Sequence, residues 1–218
     1  MPTNLIEELI PAVRTIAIYL SITIAWWYLT GRKKKFLKWI GLKKMPGNYN
    51  KILLWTAVFF GISIISQLFI VPNILPEGIT IAQQYAGIGL SALIPALFFG
   101  ITTGFGEELF FRGLIGKRFC NRYGFKKGNI IQALFFGLWH GIGFPIMIIF
   151  FTVSEQANIS YLRIFIIFIS STILGALGGW ILGYVTEKTA KGSIIPAILI
   201  HGGGNFLLAM AEAFNLIN

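Results

Sequence analysis

The chain has 218 residues, of which 56% are hydrophobic, and its mean hydropathy is +0.75. Charged residues make up 12%, against about 25% in a soluble domain, so a soluble globular fold is excluded. The net charge is +10, but the basic residues flank apolar stretches instead of building a charged groove, which argues against a nucleic-acid partner.

Six stretches approach the ~20 apolar residues that a bilayer crossing needs. They lie near 10–30, 52–72, 85–116, 129–150, 162–185 and 193–216. The expectation is an all-α, polytopic membrane bundle of about six transmembrane helices, forming a single membrane domain over 1–218. Residues 1–84 hold two spans and a basic amphipathic loop, and 85–218 hold every polar motif. Glu7 and Glu8 stand where a cleavable signal would be basic, so the first span is expected to remain in the mature protein. Trp26, Trp27, Tyr28 and Trp55 read as interfacial belt aromatics. Between Arg32 and Lys44, lysines alternate with Phe36, Leu37, Trp39, Ile40 and Leu42. That mix suits either a short helix lying in the headgroup layer of an anionic membrane or a solvated basic loop.

The third span is longer than one crossing and is expected to tilt, bend at Pro95 or run past the interface. Gly100 and Gly104 in it, and Gly175, Gly179 and Gly183 in the fifth, repeat at a spacing that lets helix backbones approach closely. The single cysteine, Cys120, excludes an intrachain disulfide and reads as an ordinary thiol. Basic and non-basic loops alternate along the chain. The loop after span one, the loop holding Lys117 to Lys127, and the turn at Lys188 and Lys191 are basic. Those around Pro72 to Gln84 and Thr152 to Ser160 carry only Glu77 and Glu155. The positive-inside rule then puts both termini outside and the basic loops in the cytoplasm.

Three polar clusters interrupt the apolar spans: Glu107-Glu108-Leu109-Phe110-Phe111-Arg112, Phe136-Gly137-Leu138-Trp139-His140, and His201-Gly202-Gly203-Gly204-Asn205. They contain both histidines. Ionisable groups at bilayer depth are costly and mark functional sites or mutual pairs. Glu107 lies ten residues before Lys117, His140 thirteen after Lys127, and His201 ten after Lys191. Regular helices would put all three roughly 15–20 Å from their basic flanks, which predicts one pocket near mid-membrane. Glu108 and Arg112 are four apart, the pairing distance on a helix, so Arg112 can neutralise Glu108. Glu107 then faces another neighbour. His201 and Asn205 present two hydrogen-bond donors along one helix face, and the glycines between them would admit a helix or an extended peptide.

The succession Glu-Glu-x-x-x-Arg, Phe-x-x-x-His, His-x-x-x-Asn resembles the type II CAAX prenyl endopeptidases. More broadly, it is similar to the CAAX protease and bacteriocin-processing superfamily, over roughly Ala92 to Ala209. The resemblance implies a membrane peptidase with a cavity open to the cytosol, acting near the carboxyl terminus of a prenylated protein or peptide. It implies that Glu107 and His140 activate water, that His201 and Asn205 stabilise the oxyanion, and that Glu108 with Arg112 supports the site. Some members serve in bacteriocin immunity or as adaptors.

The residues read by themselves agree with hydrolysis. A carboxylate base, an imidazole and an amide donor suffice for attack by water, and neither a nucleophile elbow nor a reactive cysteine is evident. No cofactor is expected. The alternative within enzymes is a Zn²⁺ peptidase using Glu107, His140 and His201 as ligands, although the His-Glu-x-x-His signature is absent. Outside enzymes the alternatives are a non-catalytic immunity or scaffold protein and a proton-coupled transporter. The partners expected are a peptide or prenylated protein and membrane lipid; the sequence leaves oligomeric state open.

Overall fold

The computed structural model describes residues 5–31, 33–45, 48–74, 83–154 and 160–217, with side chains at 5–9, 11, 12 and 150–154 left aside. Every regular element among them is helical. The elements are α1 (Leu5–Thr30), α2 (Phe36–Ile40), α3 (Tyr49–Ile65), α4 (Val71–Ile74), α5 (Leu93–Ile101), α6 (Lys117–Ser154), α7 (Tyr161–Tyr184) and α8 (Ile195–Ala213). π-helical turns join α3 to α4 and follow α7, and two more, Thr102–Glu107 and Leu109–Gly116, carry α5 into α6. Arg32, Glu77 and Glu155 lie outside the described residues.

Five helical segments are long and apolar enough to cross a membrane: Val13–Thr30, Tyr49–Ile74, Gly89–Ile149, Tyr161–Thr189 and Ile195–Ala213. The third has 61 residues, and at ~1.5 Å per residue it is about three times the hydrocarbon thickness. It breaks at Gly124, whose φ of 76° and ψ of 163° are not helical. The positive φ favours glycine, because a Cβ there would be strained. The segment therefore supplies two crossings, giving six helices in an all-α bundle.

In lipid, apolar side chains gain little by clustering, so helices associate where small residues let backbones touch. Both helix pairs that carry the polar clusters do this. On α6, Gly137 faces the Thr172 carbonyl and Ala176 of α7, while Gly175 and Gly179 of α7 lie over Gly137 and Ala133. Asn129 and Gln132 add cross-helix hydrogen bonds to the carbonyls of Trp180 and Gly179 at 3.0 and 2.8 Å. Likewise Gly100 and Gly104 rest on the Gly202 and Ile198 backbone of α8. Large apolar side chains such as Leu29, Leu53, Phe69 and Leu199 point outward.

The third span runs on past one crossing, one of the expected outcomes, and Pro95 sits in the first turn of α5, where a proline's missing N–H costs nothing. The irregularity of this span lies in the wide turns over 102–116. The basic 33–45 segment carries the short helix α2 in place of a free loop, with Trp39 and Ile40 buried against Leu109 and Leu114 and Leu37 exposed. Arg118 stacks over the Trp39 ring at 3.8 Å and donates to the Trp39 carbonyl at 3.1 Å. Gly41 ends α2 at φ 87°. Its carbonyl accepts from Ile194 N–H, while Lys43 and Ser193 bond across to the carbonyls of Lys191 and Lys43. Three basic stretches are thereby gathered at one end of the bundle. The Trp55 ring packs on Trp180 and Tyr184 at 6.0 and 4.8 Å, so three interfacial-type aromatics meet there.

Candidate active site

Glu107 and Glu108 sit at the junction of the two π-helical turns. Such turns inside helices are frequent at functional sites because they re-aim side chains. Here the two neighbouring carboxylates diverge to different helices. Glu108 is fully buried, and its Oε1 accepts from Arg112 Nη1 at 2.8 Å and faces His201 Nδ1, also at 2.8 Å. A carboxylate is acceptor-only, so His201 carries its proton on Nδ1 and turns Nε2 away from Glu108. Arg112 is fully buried and lies over the Phe136 ring, 4.1 Å from its centroid. Phe136 also touches both imidazoles, with ring centroids 4.4 Å from His140 and 5.7 Å from His201.

Glu107 faces α6. Its Oε2 is 3.9 Å from His140 Nε2, and the two side chains are 14% and 24% exposed. His140 Nδ1 lies 2.9 Å from the Phe136 carbonyl one turn back. A carbonyl can only accept, so the imidazole proton is on Nδ1 and the Nε2 lone pair points at Glu107. Two acceptors therefore confront each other, too far apart for a direct hydrogen bond and close enough for one water to donate to both. Glu107 Oε2 is buried and has no hydrogen-bond partner.

Asn205 lies one turn beyond His201 on α8, and its Nδ2 donates to Thr103 Oγ1 at 2.9 Å. The Thr103 hydroxyl donates in turn to the Phe99 carbonyl at 2.9 Å. This fixes which end of the Asn205 amide faces the helix carrying Glu107 and leaves one amide N–H for another acceptor. The glycines after His201 are used unequally. Gly202 is filled by the Gly100 backbone and Gly204 by Phe60, whereas a Cβ on Gly203 would meet nothing.

The sequence-selected residues thus pair as Glu107 with His140 and Glu108 with Arg112 and His201, both groups touching Phe136, while Asn205 bonds Thr103 on the helix that carries Glu107. Sequence reasoning passed over Thr103, a hydroxyl one turn before Glu107 in an apolar span. It also passed over Tyr19, which enters from α1 against Gly106 and meets the Phe110 ring at a tilt, centroids 5.3 Å apart; no motif marks it. Among the described residues no three His, Cys, Asp or Glu side chains are grouped to hold a metal ion. A small cleft borders Arg112, with Cys120, Asn129, Gln132, Thr186 and Glu187 among its walls.

A family model described as type II CAAX prenyl endopeptidase, Rce1-like, matches residues 89–207. No curated protein and no solved structure matches the chain. The match spans more than half of the sequence and includes all three polar clusters. The chain belongs to the Rce1-like type II CAAX prenyl endopeptidase family.

Proposed function

We propose that this membrane protein is an intramembrane endopeptidase that cleaves near the carboxyl terminus of prenylated CAAX proteins or peptides, using water activated by Glu107 and His140. The observation that carries the reading is the pair of facing acceptors, Glu107 Oε2 and His140 Nε2, 3.9 Å apart. A water donating to both would present a lone pair outward, aligned for attack on a peptide carbonyl.

In this reading the water oxygen bonds the carbonyl carbon, one water proton passes to Glu107, and the carbonyl π electrons move onto oxygen. Asn205 donates its remaining N–H to that oxyanion. His201 adds a second donor from Nε2 when it is protonated, while its Nδ1 stays on Glu108 Oε1. Collapse re-forms the carbonyl and breaks the C–N bond, and the departing amine takes the proton held by Glu107 or relayed by His140. Arg112 offsets the charge of Glu108 and so leaves Glu107 as the carboxylate available for proton transfer.

No step calls for a metal ion, and EDTA is expected to leave turnover intact. Loss of activity that Zn²⁺ restores would replace this mechanism. The reading as a whole is tested in detergent on a prenylated CAAX peptide with its unprenylated counterpart beside it and Glu107→Ala as control. Cleavage of the lipidated peptide alone, absent in Glu107→Ala, is expected. Equal cleavage by Glu107→Ala would remove the mechanism, and preference for the bare peptide would remove the prenyl substrate.

A further inference from the structure

Tyr19 stands apart from its neighbours on α1. Val13, Ile18, Ile22 and Ile24 of that helix are exposed, whereas Tyr19 is only 6% exposed and Thr23 is fully buried. The Thr23 hydroxyl donates to the Tyr19 carbonyl at 2.7 Å. One edge of the Tyr19 ring lies along Gly106, with Cδ2 and Cε2 at 3.1 and 3.7 Å from where a Cβ on that glycine would sit. The same ring meets Trp139 edge-on, centroids 6.1 Å apart. Gly106 directly precedes Glu107, and Trp139 directly precedes His140. A single side chain from a third helix therefore packs against the immediate neighbour of each member of the facing pair. It comes from α1, which lies before the residues 89–207 that match the family model.

The phenol brings a donor as well as bulk. Buried tyrosine hydroxyls usually hold a hydrogen-bond partner, and this one bonds no side chain among the described residues. The charge it senses is that of Glu107. Glu107 Oε2 is itself without a partner, and a carboxylate offers about four lone-pair sites, enough for a water shared with His140 and for a second donor. A neutral hydroxyl suits that place, because it steadies the carboxylate without cancelling its charge as Arg112 does for Glu108. The two groups are not bonded directly, so one water carries the link. We infer that Tyr19 is a positioning residue: its ring fixes the approach of the segments carrying Glu107 and His140, and its hydroxyl donates through a water to Glu107 and keeps that carboxylate turned toward His140. The rate effect of this contact rests on the peptidase reading above; the contact itself does not.

Tyr19→Phe removes the hydroxyl and keeps the ring, and Tyr19→Leu removes both. Three quantities are measured for each: turnover of a prenylated CAAX peptide, the thermal midpoint in detergent, and the infrared band of the Glu107 carboxyl group. The band is assigned by its loss in Glu107→Gln. Tyr19→Phe is expected to lower kcat by about 10- to 100-fold, the range for a lost hydrogen bond to a charged group, with KM and midpoint steady and the Glu107 band displaced. Tyr19→Leu is expected to show the same displacement together with a lower midpoint. With an active wild type, a Glu107 band that stays in place in Tyr19→Phe, or a kcat that stays at the wild-type value, overturns the inference. A kcat loss in Tyr19→Phe that comes with a lowered midpoint assigns Tyr19 to packing alone and overturns it too. A displaced band in a protein whose wild type cleaves nothing keeps the Tyr19–Glu107 contact and sinks the peptidase reading.

Discussion

One oxygen, Glu108 Oε1, receives both Arg112 and His201 at 2.8 Å, and this arrangement separates the duties of two adjacent carboxylates. Glu108 is spent on holding neighbours, and Glu107 faces His140 with an unpartnered oxygen. His140→Ala is accordingly expected to lower kcat by about 10²–10⁴-fold, the range for a lost acid–base partner, with the thermal midpoint in detergent little changed. Asn205→Ala should keep measurable activity, about 10²–10³-fold down in kcat, as for one oxyanion donor. Thr103→Val removes the acceptor that orients Asn205 while keeping shape; kcat is expected to fall with KM steady, and Thr103→Ser should restore much of it. An unchanged kcat in Thr103→Val would show that Asn205 needs no such orientation. At this scale much was legible. The four-residue spacings Glu108–Arg112 and His201–Asn205 are covalent facts of a helix, and the divergence of Glu107 from Glu108 follows from adjacency. The Thr103 contact was not legible, since a threonine in an apolar span commonly bonds its own helix, as Thr102 does to Phe98.

At the level of elements, the site exists because two helix pairs approach at glycines. A Cβ on Gly104 would come within 2.8 Å of three backbone atoms of α8. Backbone cannot yield as a side-chain tip can, so Gly104→Ala is expected to lower stability by about 1–3 kcal/mol, read as a lower midpoint of thermal unfolding in detergent. Arg112→Ala should cost more, about 3–5 kcal/mol, because it strands the buried Glu108 charge. Glycine spacing in the sequence anticipated these contacts at Gly100, Gly104, Gly175 and Gly179, which do face neighbouring backbones, whereas Gly183 faces the side chains of Asn129 and Gln132. Two features escaped it. The π-helical turns over 102–116 arise from tertiary demands on a segment whose local pattern reads as plain helix. The docking of α2 depends on Gly31 and Gly113 leaving room for Trp39 and Ile40. Composition alone described an amphipathic segment and could not say whether its apolar face meets lipid or protein.

For the whole molecule, hydropathy located the spans and charge gathered the basic loops at one end, where Lys43 meets Lys191 and Lys117 meets Gly192. The positive-inside rule predicts that this end is cytoplasmic. In a Cys120→Ser background, Lys44→Cys should react with a membrane-impermeant maleimide in inverted vesicles and stay protected in intact cells; the opposite pattern would invert the topology. What ties the scales together is the facing of Glu107 and His140 across two helices that no local sequence rule joins. The most direct test is single-turnover hydrolysis of a prenylated CAAX peptide by Glu107→Gln, a change of one oxygen to an amide nitrogen that preserves side-chain size. A loss of at least ~10²-fold in the chemical step, with peptide binding and thermal midpoint retained, is the predicted result. A Glu107→Gln variant that cleaves at the wild-type rate would contradict water activation by this pair.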